Sequence, residues 1–178
     1  STQTGIAHML EHMLFKGTET IGALDYSKEK PLLEKIEAVG EKIDRLTVVS
    51  PSDPSLSALQ KELADLQKEH DKYFELNPYG KIYAMMGGNS FNAFTSHDMT
   101  AYHIELPASE LEAWAKIEAD RIMHPVFRQF YSERGAVAQE RLMRYDSEGE
   151  PMLMEAFDAA AFAAHPYRIP VIGWESNV

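Results

Sequence analysis

The chain of 178 residues contains no cysteine, only two tryptophans and no long uninterrupted apolar run. Without cysteine there is no disulfide framework and no thiolate metal site, so a transition-metal centre would have to be built from histidine, aspartate and glutamate. Without a run of about 18 apolar residues there is no candidate membrane-spanning helix. Positive charge is also scarce: 17 Lys and Arg stand against 28 Asp and Glu, a formal net charge of −11. With no basic patch to neutralise phosphates, neither nucleic acid nor an anionic membrane surface is expected as a partner. What remains, 44% hydrophobic and 25% charged, is enough for one sizeable core, and one domain is the default. No secretory signal pattern is visible, which is uninformative in a chain that begins at Ser1 and enters its first motif within a few residues. The expectation is a fragment of a longer polypeptide.

That first motif is the run Gly5-Ile6-Ala7-His8-Met9-Leu10-Glu11-His12-Met13-Leu14-Phe15. Ile6, Met9, Leu10, Met13 and Leu14 recur at helical spacing, which predicts one buried helix whose remaining face carries His8, Glu11 and His12. Residues four apart on a helix are neighbours, so His8 and His12 can reach a single ion with neutral imidazole nitrogens. Glu11 lies beside them, placed to take a proton from a water activated by the metal, which is the division of labour in the inverted zinc motif H-x-x-E-H. Chance occupation of a half-exposed helix is the plain competing reading. To displace it the motif needs a third ligand, restricted here to His, Asp or Glu.

Gly17 in Phe15-Lys16-Gly17-Thr18 is suited to the left-handed backbone that follows a helix. Residues 28 to 48 and 55 to 74 then show apolar positions at three-to-four spacing, Leu32, Leu33, Ile36, Val39, Ile43 and Leu46 in the first and Leu56, Leu59, Leu63, Leu66, His70 and Tyr73 in the second. The turn-rich connector Ser50-Pro51-Ser52-Asp53-Pro54 makes them a helical hairpin, with His70 on its seam or edge and its charged faces solvated. From Asn77 the texture changes to turn residues. Strands are expected at Phe91 to Thr95 and at Met99 to Leu106, joined by a tight turn at Ser96-His97-Asp98. His103 is expected on the solvent side of its strand. A following helix offers Leu111, Trp114, Ile117, Ile122 and Met123 as a core stripe.

Glu133-Arg134-Gly135-Ala136-Val137-Ala138-Gln139-Glu140 reads as helix, and its spacing of seven sets Glu133 and Glu140 on one face. Paired carboxylates of this kind are ordinarily solvated, with Arg134, Arg141 and Arg144 as surface partners. Beside His8, Glu11 and His12 they become candidates for the missing ligand.

Four blocks, Gly5 to Thr18 (GIAHMLEHMLFKGT), Gly87 to Tyr102 (GGNSFNAFTSHDMTAY), Glu133 to Glu140 (ERGAVAQE) and His165 to Gly173 (HPYRIPVIG), together resemble the N-terminal catalytic domain of the pitrilysin and insulysin type zinc peptidases, family M16. The resemblance implies an α+β fold with an antiparallel or mixed sheet and helices on one face, one Zn2+ held by His8, His12 and Glu140, Glu11 as general base, and Glu133 as an accessory catalytic carboxylate. Asn92, Ala93, Phe94 and Thr95 match the strand that pairs with substrate backbone, a mode suited to an endopeptidase acting on extended peptide or unfolded protein. The family's upstream strands and homologous second half, or partner subunit, are absent, so residues 1–178 are expected to be part of one catalytic domain. The hairpin of residues 28–74 resembles an insertion in bacterial relatives, often periplasmic or secreted. A non-catalytic peptide-binding subunit of a peptidase assembly is the alternative, although such paralogues usually lose motif residues that are intact here.

Overall fold

The computed structural model describes residues 4–174. Helix α1 (Ile6–Met13) opens from Gly5, whose backbone is left-handed. A Cβ on Gly5 would lie 2.3 Å from the carbonyl oxygen of Ile172, so only glycine lets the start of α1 rest against the chain near Gly173. Helices α2 (Tyr26–Val49) and α3 (Leu56–His70) form the hairpin. The Asp25 side chain caps α2 by accepting from the amide of Lys28 at 3.3 Å, and Asp53 nucleates the connecting turn by accepting from the amide of Ser55 at 2.8 Å. Ile36, Ile43 and Leu59 are its buried apolar residues, three of the positions named by the three-to-four spacing. Helix α4 (Pro78–Met85) is capped by Asn77, which accepts from the amide of Gly80 at 3.2 Å, and carries proline in its first turn.

Strands β1 (Asn89–Thr95) and β2 (Thr100–Glu105) pair antiparallel and are the two strands of a single sheet among the described residues. Their register is regular from Asn92↔His103 to Thr95↔Thr100 and is interrupted by a bulge between Asn89 and Asn92. Ser90 sits there with φ +56°, and the extra residue re-aims the rest of β1. Helices α1 and α4 contact this hairpin, with Phe91 meeting Phe15 and Tyr83 edge to face. Helices α5 (Leu111–Met123) and α6 (Phe130–Arg141), a single π-helical turn (Leu142–Asp146), α7 (Gly149–Ala161) and a 3-10 turn (Pro166–Arg168) follow. The architecture is helix-rich with a small antiparallel sheet, compatible with the α+β expectation. No helix among the described residues is long and apolar enough to cross a membrane.

Burial departs from the periodicity in two helices. On α1, Ile6 is 63% and Leu10 44% exposed, whereas Met13 of the same apolar stripe and His8 of the polar face are both buried, so the stripe is only partly covered and the polar face is turned in at His8. On α5, Leu111, Ile122 and Met123 are exposed and Arg121 is the buried residue. Its guanidinium lies 4.0 Å from the ring centroid of Tyr79 and 5.3 Å from those of Phe91 and Tyr102, and it ion-pairs with Glu118 at 3.2 Å. Aromatic faces attract a cation that has lost its water, which is how a charged residue replaces the expected apolar stripe. His103 is exposed, as expected. His70 is buried on the hairpin seam, stacked on Phe74 and 2.9 Å from Glu29.

Candidate metal centre

Helices α1 and α6 face one another, and the contact brings two distant motifs into one cluster. Glu140 Oε2 is 3.4 Å from Nε2 of His12 and 3.6 Å from Nε2 of His8. One donor atom from each of the three residues lies within 4.8 Å of the others, the only such metal-competent group of three or more among the described residues. Four donors placed tetrahedrally at 2.0–2.1 Å from a zinc ion stand about 3.3 Å apart. The carboxylate-to-imidazole separations therefore suit a shared ion better than direct hydrogen bonds, which prefer about 2.9 Å. Imidazole nitrogen and carboxylate oxygen are also the donor types that zinc accepts in place of thiolate.

The surrounding side chains fix this arrangement. Glu133, one side of α6 with Glu140, reaches His12 at its other ring nitrogen: Oε2 is 3.3 Å from Nδ1. That hydrogen bond holds the His12 imidazole above its ordinary pKa, against the opposing effect of burial, with the Glu140 charge adding to it. Glu133 is reciprocally held below the ordinary carboxylate value by His12 and by Lys16. His8 moves the other way, pushed down by burial despite the nearby Glu140. One imidazole is thus disposed to be neutral and the other is tethered by a carboxylate, the pairing that orients metal-binding histidines. Arg144, on the π-helical turn after α6, takes the second oxygen of Glu140 at 2.8 Å and leaves Oε2 directed at the histidines.

Glu11 lines the same cleft of about 590 Å3, together with Asn92, Ala93, Phe94 and Thr95 of β1. Its carboxylate accepts a hydrogen bond from Thr95 Oγ1, and its backbone carbonyl lies 3.4 Å from the hydroxyl of Tyr102. Every site residue expected from the sequence therefore borders one cavity. Of the three arginines expected as surface partners of this carboxylate pair, Arg144 is paired with Glu140, whereas Arg134 is paired instead with Asp44 of α2 at 2.7 and 2.8 Å. Arg141 is a correction: it is 5% exposed and donates to the carbonyl of Gly173 at 2.6 Å and to Glu155 at 3.0 Å. It ties α6 to the segment on which α1 begins. Lys16 did not emerge from the sequence, because its partner on α6 comes beside it only when α1 and α6 meet.

The family model of the insulinase family, peptidase family M16, matches residues 68–174. The chain belongs to this family. The matched span includes β1, Glu133 and Glu140, while the His8 to His12 motif lies upstream of it. Across the whole chain there is 27% identity over 180 residues with the uncharacterized zinc protease ML0855 of Mycobacterium leprae. Over 68% of the chain there is 30% identity with the zinc protease PqqE of Helicobacter pylori. The chain spans 28% of the length of each of these relatives.

Proposed function

We propose that the chain forms part of the catalytic domain of a zinc-dependent endopeptidase that cuts extended peptides or unfolded protein. The observation that carries this reading is the convergence of His8, His12 and Glu140 on one point beside Glu11, and family membership supports it. His8 and His12, each through Nε2, and Glu140, through Oε2, would hold the ion. Zinc, when bound, supplies a Lewis acid that polarises the scissile carbonyl and makes water a stronger acid.

The protein's own residues do the rest. Glu11 accepts the proton released by the attacking water and later delivers it to the leaving amine, so the same carboxyl serves as base and then as acid. Thr95 fixes which way that carboxylate faces. Glu133 keeps the Nδ1 hydrogen on His12 and so directs Nε2 to the ion. Arg144 balances the Glu140 charge on the side away from the ligands. Substrate lies along β1: one edge of this strand is paired with β2, no strand among the described residues covers the other, and residues 92–95 border the cleft. An extended peptide added there gains main-chain hydrogen bonds regardless of its sequence, with neighbouring pockets setting preference.

Because the chain covers little more than a quarter of the relatives' length, the working enzyme is proposed to need further polypeptide, including a homologous second half or partner subunit. The test is zinc stoichiometry and cleavage of an unstructured peptide by the full-length protein and its Glu11→Gln variant. One zinc per site with cleavage lost on substitution supports the reading. Zinc binding without cleavage in the unsubstituted protein would instead favour a peptide-binding subunit.

A further inference from the structure

Lys16 is outside the ligand set, yet its side chain ends in the site. It leaves the turn that follows α1, four residues after His12, and its ammonium is ion-paired with Oε1 of Glu133. The amide oxygen of Gln129 is a further acceptor at 3.5 Å. The other oxygen of the same carboxylate, Oε2, is the one 3.3 Å from His12 Nδ1. Each oxygen of Glu133 is thereby assigned to a different partner. The three side chains are only 19 to 25% exposed, so water competes weakly for these contacts.

The backbone of Lys16 is fixed from the opposite side. Arg128, fully buried, donates from Nη1 to the Lys16 carbonyl at 3.0 Å and from Nη2 to the Thr18 carbonyl at 2.8 Å. Glu29 of α2 takes the remaining face of that guanidinium, through Nε and, at 2.8 Å, through Nη2. Gly17 between the two clamped carbonyls has φ +94°, and a Cβ there would meet the carbonyl oxygen of Ile21 at 2.3 Å. A lysine is an unusual choice for a fixed contact because its stem has several free torsions. Here both ends are held.

We propose that Lys16 is a positioning residue of the metal centre: by engaging one oxygen of Glu133 it presents the other to His12 Nδ1, and so keeps His12 Nε2 turned toward His8 and Glu140. This rests on the reading of the cluster as a zinc site. A histidine ring is oriented by what its second nitrogen bonds, and a carboxylate with a free oxygen can rotate away from that nitrogen. Lys16 closes the free position. A lysine acting as a bare charge would have the opposite effect, since like charges repel and its removal would tighten the binding of a cation. The sign of the change therefore separates the two roles.

The experiment measures zinc affinity by chelator competition in the full-length protein and in Lys16→Met, Lys16→Arg, Glu133→Gln and the Lys16→Met/Glu133→Gln double variant. Lys16→Met is expected to weaken zinc binding about 10-fold, Lys16→Arg to restore most of the loss, and the double variant to bind no more weakly than Glu133→Gln alone, because Lys16 acts through Glu133. In the zinc-loaded protein, the downfield proton resonance of His12 Nδ1–H should be retained in Lys16→Arg and lost to solvent exchange in Lys16→Met. Should Lys16→Met fail to fold, Lys16→Ala carries the same comparison, since it too lacks a donor. Zinc affinity unchanged or tightened by loss of Lys16, with the resonance intact, overturns the proposal and leaves the zinc centre standing. Failure of the unsubstituted protein to bind zinc overturns both.

Discussion

Thr95 donates its hydroxyl hydrogen to the carboxylate of Glu11, so the strand that borders the cleft also holds the residue proposed to move protons. Its oxygen is in turn 3.1 Å from the hydroxyl of Thr100 on β2, which can donate to it and fix the direction of the first bond. Thr95→Val removes the donor at nearly constant volume. Zinc binding should be unaffected, because Thr95 hydrogen-bonds to Glu11 and Thr100 and not to the proposed ligands, while kcat for peptide cleavage by the full-length protein falls about 10-fold. Thr95→Ser keeps the hydroxyl and should recover most of the rate. A valine variant with unaltered kcat would show that Glu11 needs no such guide.

Glu11 and Glu140 are both carboxylates beside the same histidines, and substitution by glutamine separates their tasks. Glu11→Gln keeps the shape and an accepting oxygen but cannot take a proton, so zinc stays and cleavage falls about 100- to 10,000-fold. Glu140→Gln removes a charged ligand and leaves Arg144 facing a neutral amide, so zinc affinity itself should drop, with activity partly returning when zinc is added. Metal analysis beside a cleavage assay decides this. Loss of zinc from the Glu11 variant together with full metal and rate in the Glu140 variant would exchange the two assignments.

The local elements around these residues were legible because each carries its own signal: alternation in β2, a strand-like run at Phe91 to Thr95, turn residues at Ser96 to Asp98, and apolar spacing along α2 and α3. The site was legible for a different reason, since imidazoles four residues apart with a carboxylate between them are demanding chemistry in a short span. What the sequence could not convey is which side of a helix is inside. On α1 Ile6 and Leu10 of the apolar stripe are exposed while Met13 of the same stripe is buried, and His8 is buried on the side that meets α6. Periodicity reports that two faces differ, not what lies against each. Arg121 was invisible for a related reason: the rings that accept it come from Phe15, Tyr79, Phe91 and Tyr102, which share no local pattern. Contacts between residues as far apart as Lys16 and Glu133 arise only once the helices are assembled.

The buried ion pair of Glu29 and Arg128 links the hairpin to the end of α1 and gives stability an acid limit. Burial raises the Glu29 carboxyl, but hydrogen bonds from His70 and Arg128 and the guanidinium charge more than offset it, and the group lies below its ordinary 4.5. A carboxyl depressed in the folded state stabilises above its unfolded pKa, and that contribution is lost as pH falls through the folded value. Melting temperature should therefore hold near neutrality and fall steeply only below about pH 4.5. Arg128→Met, which leaves Glu29 with His70 as its remaining side-chain partner, should cost about 3–5 kcal/mol at neutral pH and flatten that acid slope. Thermal melts from pH 7 down to acid for the two proteins measure both effects, and equal slopes would assign the acid limit to other carboxylates.

Gly40, in the middle of α2, offers a prediction whose sign runs against helix propensity. Alanine is ordinarily about 1 kcal/mol better than glycine inside a helix, and nothing in the backbone of Gly40 requires glycine, since its φ is not positive. A Cβ there, however, would lie 1.9 Å from Cζ and 2.2 Å from the hydroxyl oxygen of Tyr131 on α6. That ring is not free to swing: its hydroxyl is 3.4 Å from the Glu37 carbonyl, and the Arg134 guanidinium, itself paired with Asp44, stands 5.2 Å from the ring centroid. Gly40→Ala should therefore lower stability by about 1–3 kcal/mol, the usual cost of overpacking. In a Tyr131→Ala background the clash disappears and the same change should become stabilising by the propensity difference. Urea melts of the two single variants and the double variant supply the cycle. Stabilisation by Gly40→Ala with Tyr131 in place would mean that the ring gives way freely and that the hairpin is not held to α6 through this contact.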